Sequence, residues 1–406
     1  MTSFAAAGRS ALGSFHPFLR LERLLRDHPA GDHGLPGVKG PIQLQVGDPK
    51  NAPPAFLQEC LQKNAAGWGS YPPPRGTADY REAAADWLTN RFALPANFID
   101  PDRNILPVPG TREGLFFTIM MAIPGPGEGE KRKVLLPSPF FHVYAGATAA
   151  AGGEPVFVPA RAETGFMPDY AALPKEVLEK AALAILCSPS NPQGAIADAA
   201  QMRAVVTLAR QHDFLAIFDE CYSEIYLDQP PPGALQSAAE FGSLDNLVVF
   251  HSLSKRSSAP GLRCGFVAGD ARWIDRVDGA MRFGGAGVPL PALAAGASLW
   301  RDEVHVEHNR DYYRESFVMA ERLLGNRLGY RRPGGGFFLW LDVGDGEAAT
   351  VKLWKEAGIR VLPGAYMSAE DERGDNPGAP YIRVALVYDA AFNEAALRLL
   401  LDTLEV

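Results

Sequence analysis

Cysteine is scarce in this sequence. Four are scattered over 406 residues, at Cys60, Cys187, Cys221 and Cys264, and no two have the CxxC spacing of a thiolate metal site. Neither a zinc site nor a disulfide framework is indicated, and a reducing cytoplasm is the expected location. Long apolar runs are missing as well; none approaches the roughly 20 residues needed to span a bilayer. Positive charge is in deficit. The formal net charge of −8 argues against nucleic acid or an anionic membrane as the main partner, because both demand a basic surface. There are no internal repeats. What remains is an ordinary globular composition, in a chain long enough for a large core and more than one domain.

The first 28 residues contain no acid before Glu22 and carry Arg9 and Arg20. That is weakly like an organellar transit peptide. A tail leading into a short amphipathic helix, with Phe18, Leu21, Leu24 and Leu25 on one face, accounts for it more simply.

Seven short apolar runs alternate with helical patterns through the middle of the chain. They are NILPVP, VLLPSP, PVFVPA, LAILCSP, FLAIFD, NLVVFHS and CGFVAG, ending at Pro109, Pro139, Ala160, Pro189, Asp219, Ser252 and Gly269. Continuous apolar strands separated by helices predict an α/β fold, with a mostly parallel seven-stranded sheet covered on both faces. This large domain is expected over 46–290. The Gly/Pro-rich segments 124–131 and 228–233 read as surface loops. Beyond residue 290 the pattern changes to a long helical stretch (291–324), a strand-like GGGFFLWLDV, a helix (348–357) and a strand-like YIRVALVY. These predict a smaller α+β domain, 291–406, joined by residues 1–45.

Ligands of open α/β sheets bind beyond the carboxyl ends of the strands, so the residues following each run carry the functional signal. They are Gly110-Thr111-Arg112, then FFHVY with Phe141 and Tyr144, SNPQG with Asn191, Asp219-Glu220-Cys221-Tyr222, and Ser252-Leu253-Ser254-Lys255. Each has a plain structural reading. Gly110-Thr111-Arg112 before a helix is a cap as readily as a phosphate cradle of free N–H groups and a hydroxyl. Asn191 before proline suits a turn. Phe141 and Tyr144 suit a core, and Arg263 a surface. Asp219 is different: a carboxylate ending a hydrophobic strand needs a partner. Taken together, a lysine, a buried acid, an anion cradle and an aromatic plate meet the needs of pyridoxal 5′-phosphate. The lysine holds the cofactor covalently, and the acid keeps the ring nitrogen protonated.

Four ordered motifs carry a family resemblance over roughly residues 44–386: SPSNPQG, DECYSEIY, SLSKRSSAPGLRCG and YIRVALV. The chain resembles the fold-type I, class I/II aminotransferases of the aspartate aminotransferase superfamily. The phrases LPVPGTREGLF, FHSLSKRSSAPGLRCGFVAGDA and NPGAPYIRVALV, with DECYSEIY, resemble most the N-succinyldiaminopimelate aminotransferases of lysine synthesis. The resemblance implies that Lys255 binds the cofactor and moves the substrate proton. It implies that Asp219 meets the ring nitrogen, that Asn191 and Tyr222 meet the phenolic oxygen, and that Phe141 stacks on the ring. Thr111, Ser252, Ser254, Arg263 and the amides of Gly110, Thr111 and Arg112 would hold the phosphate. Arg383 would grip the substrate α-carboxylate near the backbone of Gly47. Tyr71 would reach the phosphate of a neighbouring subunit, which implies a homodimer with shared sites.

The implied substrates are small amino and 2-oxo acids, with glutamate as donor, and the implied role is diaminopimelate and lysine biosynthesis. Aspartate, alanine or aromatic transamination uses the same residues, as does a carbon–sulfur β-lyase. A pyridoxal-phosphate-binding regulator without turnover is the alternative from another class. A succinylated substrate calls for one more cation at its far end, and Arg20, Arg75 and Arg282 are the candidates that the sequence offers.

Overall fold

A computed structural model describes residues 16–406 except 126, 286, 372 and 373. The tail 1–15, with Arg9 and most of the transit-like segment, lies outside the described residues. In chain order the strands are β1 (Ile42–Gln43), β2 (Ile105–Val108), β3 (Lys133–Ser138), β4 (Glu154–Pro159), β5 (Ala181–Cys187), β6 (Leu215–Asp219), β7 (Leu247–Ser252), β8 (Gly265–Gly269), β9 (Phe338–Asp342), β10 (Ile359–Arg360), β11 (Leu362–Pro363) and β12 (Tyr381–Ala385). Each of the seven apolar runs becomes one strand of a seven-stranded sheet, ordered β2-β8-β7-β6-β5-β3-β4. Only β8 runs antiparallel to its neighbours.

The runs are continuous in apolar character because both faces are covered. Ala184, Leu186, Ala216, Phe218 and Val249 face a core shared with the helices Ala78–Arg91 and Ala199–His212. Leu183, Ile185, Ile217, Val248 and Phe250 face the helices Thr111–Ala122, His142–Ala151 and Ala271–Gly284. The alternation along one strand sorts successive residues to opposite layers.

A second core surrounds the antiparallel sheet β11-β12-β9 and the parallel pair β1-β10. It gathers Leu44, Phe317, Leu339, Leu341, Leu353, Ile382, Val384, Leu397 and Leu400. Leu21 and Leu25 of the helix Pro17–Leu25 pack on Trp354, Leu362, Tyr366 and Met367 beside it.

The long helical stretch expected over 291–324 is two helices, Leu290–Arg301 and Val304–Leu324. Asp302 turns extended, and its carboxylate accepts from the His305 N–H at 2.9 Å, capping the second helix. The first helix, although it follows residue 290, buries Leu293, Leu299 and Trp300 in the larger core. Small residues allow that approach: a Cβ on Gly296 would stand 2.7 Å from the Tyr80 ring. Among the described residues, no helix is long and apolar enough to cross a membrane.

Candidate active site

The parallel strands β2, β3, β5, β6 and β7 end at one edge of the large sheet, and the loops leaving them surround a cavity of about 490 Å³. Gly47, Thr111, Arg112, Phe141, Asn191, Asp219, Tyr222, Ser252, Ser254, Lys255, Arg263 and Arg383 all line it. β12 contributes Arg383 from the smaller sheet, so the cavity lies between the two cores.

Lys255 sits in the short turn Leu253–Arg256 that follows β7. Its amine donates to the Gly47 carbonyl at 2.5 Å. Burial loosens its proton, and the nearby Arg383 and Arg112 charges add to that against Asp48 and Cys221; the pKa falls from 10.5 to about 8. Gly47 must be glycine to come this close, since a Cβ there would meet the Phe338 ring at 2.6 Å.

Asp219 ends β6 and is 5% exposed. Its Oδ2 accepts from the Tyr144 hydroxyl at 2.5 Å, and its Oδ1 from the Cys221 N–H at 3.3 Å. No cation of the chain pairs with it among the described ion pairs. Burial, followed by the charge of Asp219, pushes the Tyr144 pKa well up, so Tyr144 remains a donor.

Arg383 is 4% exposed. It donates to Asn191 Oδ1 at 2.9 Å and the Gln45 carbonyl at 2.5 Å, and its guanidinium lies 4.2 Å from the Phe338 ring centroid. Burial lowers its pKa to about 10, so it stays charged at neutral pH. Its buried Nε–H has no partner among the described residues, which suits a group built to receive an anion.

At the other side of the cavity the helix Thr111–Ala122 begins directly after Gly110, with no side-chain cap on its first amides. Gly110 has φ +100°, and a Cβ there would stand 1.9 Å from Arg263 Nη2. Arg263 donates to the carbonyls of Pro260 and Pro109 and to Glu113 Oε2 at 2.8 Å. Of a guanidinium's five N–H donors, these contacts leave two. Ser252 Oγ accepts from the Ser254 N–H at 3.1 Å, which leaves its own proton to donate. Uncapped amides, a hydroxyl and spare guanidinium donors at a helix N-terminus fit a phosphate. The buried, cation-free Asp219 fits a protonated ring nitrogen. The donor set therefore matches pyridoxal phosphate at both ends.

The profile of the class I and II aminotransferases matches residues 39–401. The chain belongs to that family. This aminotransferase is 34% identical to 4-dedimethylamino-4-oxo-anhydrotetracycline transaminase OxyQ of Streptomyces rimosus, over 89% of this chain and 93% of that one. It is 33% identical to an LL-diaminopimelate aminotransferase of Desulforudis audaxviator, over 86% of each. A solved aminotransferase structure from Neisseria meningitidis superposes with a TM-score of 0.87 at 36% identity, covering 96% of this chain and 97% of that one. Members of the family use pyridoxal 5′-phosphate, and the aminotransferase takes small amino and 2-oxo acids.

Not every expected residue lies in the cavity of the aminotransferase. Tyr71 is 99% exposed and lines no part of it. The three cations suggested for the far end of the substrate are held elsewhere. Arg20 lies 3.8 Å from Glu347 and over the Tyr366 ring; Arg75 binds Asp275, and Arg282 binds Asp278. Two features escaped the sequence reading. One is Tyr144 as the donor to Asp219. The other is the Arg112 side chain, which lines the cavity and makes no hydrogen bond or ion pair within the described chain. Its position directly after Gly110-Thr111 hid it, because that segment reads as backbone.

Proposed function

We propose that the aminotransferase exchanges amino groups between glutamate and a long amino acid with carboxylate at its far end, N-succinyl-LL-2,6-diaminopimelate, a tricarboxylate, first among them. The observation that carries this reading is the charge left over in the cavity. Arg112 is unpaired among the described residues, whereas each lining carboxylate is engaged: Asp219 with Tyr144, Glu113 with Arg263 at 2.8 Å, and Asp48 with Lys50 at 2.7 Å. A substrate whose far end is purely anionic suits such a site. Free LL-diaminopimelate brings a distal ammonium as well; it is the second reading, favoured by the name of the Desulforudis relative.

In this reading Arg383 holds the α-carboxylate as a two-pronged donor, with Asn191 keeping the guanidinium in plane. The Asn191 amide oxygen is occupied by Arg383, so its N–H groups and Tyr222 remain for the cofactor's phenolic oxygen. Phe141 would cover the ring, Thr111, Ser252, Ser254, Arg263 and the amides of Gly110, Thr111 and Arg112 would hold the phosphate, and Asp219 would meet the ring nitrogen. Bound there, pyridoxal phosphate supplies an electron sink that makes the substrate α-proton removable. Lys255 Nζ would take that proton from the substrate Cα and hold it for redelivery. An amine whose pKa lies near 8 is deprotonated often enough to act as this base. We also propose a homodimer in which Tyr71 completes the phosphate site of the partner, and a division into residues 46–290 against 1–45 with 291–406, shifted at its second boundary because the helix Leu290–Arg301 packs in the larger core.

The test is a panel of amino donors with 2-oxoglutarate, run on wild type and Arg112→Ala. N-succinyl-LL-diaminopimelate should be the best donor. The substitution should lower its kcat/KM about 10-fold or more, as for a lost charge-assisted hydrogen bond, and leave alanine turnover within about twofold. Aspartate or an aromatic acid as best donor, with Arg112→Ala neutral, removes the substrate reading and leaves the family untouched.

A further inference from the structure

Lys255 is gripped by its backbone as well as by its amine. The turn Leu253–Arg256 is a single helical turn, and its last carbonyls have no intrahelical donors. Asn309, 6% exposed on the helix Val304–Leu324, supplies them: its Nδ2 donates to the Lys255 carbonyl at 2.9 Å and the Arg256 carbonyl at 3.1 Å. The Asn309 amide oxygen accepts from Asn51 Nδ2 at 2.5 Å. Asn51 in turn accepts the Ser258 hydroxyl, at 2.7 Å, on its backbone oxygen and its amide oxygen.

Asn51 lies four residues beyond Gly47, whose carbonyl receives the lysine amine. A closed circuit results: Lys255 amine, Gly47, the strap 47–51, Asn51, Asn309, Lys255 backbone. The strap is tied to the sheet that carries Arg383, since Leu44 accepts from the Ala385 N–H at 2.8 Å and Arg383 donates to Gln45. One turn before Asn309, His305 meets Ser257 Oγ at 2.8 Å and Asp302 at 2.6 Å, so the same helix holds the lysine loop at two levels. Apart from the Lys255–Gly47 and Arg383–Gln45 bonds, these contacts lie outside the cavity lining.

We propose that Asn309 is a positioning residue: through Asn51 it fixes the Lys255 amine relative to Arg383, and so sets the distance over which the substrate proton moves. A lysine side chain has four rotatable bonds, and fixing only its tip would leave the base free to drift. Fixing the backbone and the tip to one strap registers the base against the carboxylate site, which is where proximity acts on rate. The proposal rests on the assignment of Lys255 as the proton-moving base, and one measurement isolates it from that assignment.

The variants are Asn309→Asp, which keeps the shape and removes the N–H donors, and Asn51→Ala, which opens the circuit and spares the bonds from Asn309 to the backbone. In the holoenzyme with glutamate, both should lower kcat about 10-fold, move KM little because Arg383 is intact, and raise the primary isotope effect with α-deuterated glutamate. In the cofactor-free protein, the pH curve for acetic anhydride labelling of Lys255 should shift upward as the freed amine finds water. A drop in melting temperature with an unchanged isotope effect and labelling curve makes the network structural only and overturns the proposal. Lys255 escaping specific labelling in the wild type overturns the base assignment instead, and the two failures are distinct.

Discussion

At the scale of the residue, the chemistry turns on one amine whose proton has been loosened. Lys255 is surrounded by Phe337, Phe338, Arg383 and the Gly47 carbonyl, a setting that penalises the ammonium. The same penalty must appear in stability. The folded pKa, about 8, lies below the ordinary 10.5. Between these values the unfolded chain binds more protons than the folded one, so the cofactor-free protein gains stability as pH rises through this window. Below pH 8 the whole cost of burying the charge persists. Lys255→Met keeps the stem volume and removes the charge. The cofactor-free variant should be more stable than wild type by roughly 3 kcal/mol at pH 7, a gap that closes above about pH 10.5. Denaturant titrations at pH 7, 8.5 and 10 measure it, and a gap that ignores pH contradicts the loosened proton.

At the scale of the element, the site is a set of strand ends. The ends were legible because β5, β6 and β7 are buried along their whole length, so the first polar group after each apolar run marks the edge where the cavity opens. The resemblance motifs then assigned chemistry to those groups. What the sequence hid lies in pairings between elements far apart in the chain. Tyr144 and Asp219 are 75 residues apart, and Asn309 is 54 from Lys255. No periodicity encodes which tyrosine of FFHVY points at which carboxylate, and Asn309 inside a long helix looks like any helical asparagine. The break at 302–303 was hidden for a related reason, since Asp302 breaks no pattern until its carboxylate turns to cap the next helix. The turn from β2 into the helix Thr111–Ala122 gives the sharpest test at this scale. Gly110→Ala places a methyl group on Arg263 in a backbone conformation that alanine resists. We expect pyridoxal phosphate to bind at least about 10-fold more weakly, by displacement of the anion-facing guanidinium and amides. Spectrophotometric titration of the cofactor-free variant measures this, and wild-type affinity contradicts the cradle.

At the scale of the whole molecule, three large apolar side chains stand largely in water. Tyr71 is 99% exposed, Phe283 97% and Trp68 60%. The segment carrying Trp68 and Tyr71 packs on the stretch that follows Phe283, for a Cβ on Gly287 would meet Pro72 and one on Gly67 would meet Leu290. Exposed aromatics carried on segments that pack together suit a contact surface, and a second copy of the chain is the occupant that the family resemblance implies. If Tyr71 serves the partner's phosphate site, two separately damaged chains should repair each other. Lys255→Ala has no base, and Tyr71→Ala leaves the partner's phosphate one hydroxyl short. In a hybrid dimer, one of the two sites combines the intact Lys255 of the Tyr71→Ala chain with the intact Tyr71 of the Lys255→Ala chain. Mixing, unfolding and refolding the two variants together should therefore yield cofactor affinity and turnover above those of either variant alone, approaching about a quarter of wild type for random pairing in a two-site dimer. Activity that never exceeds the average of the two separate preparations at any mixing ratio means that each chain works alone, with Tyr71 serving only the surface.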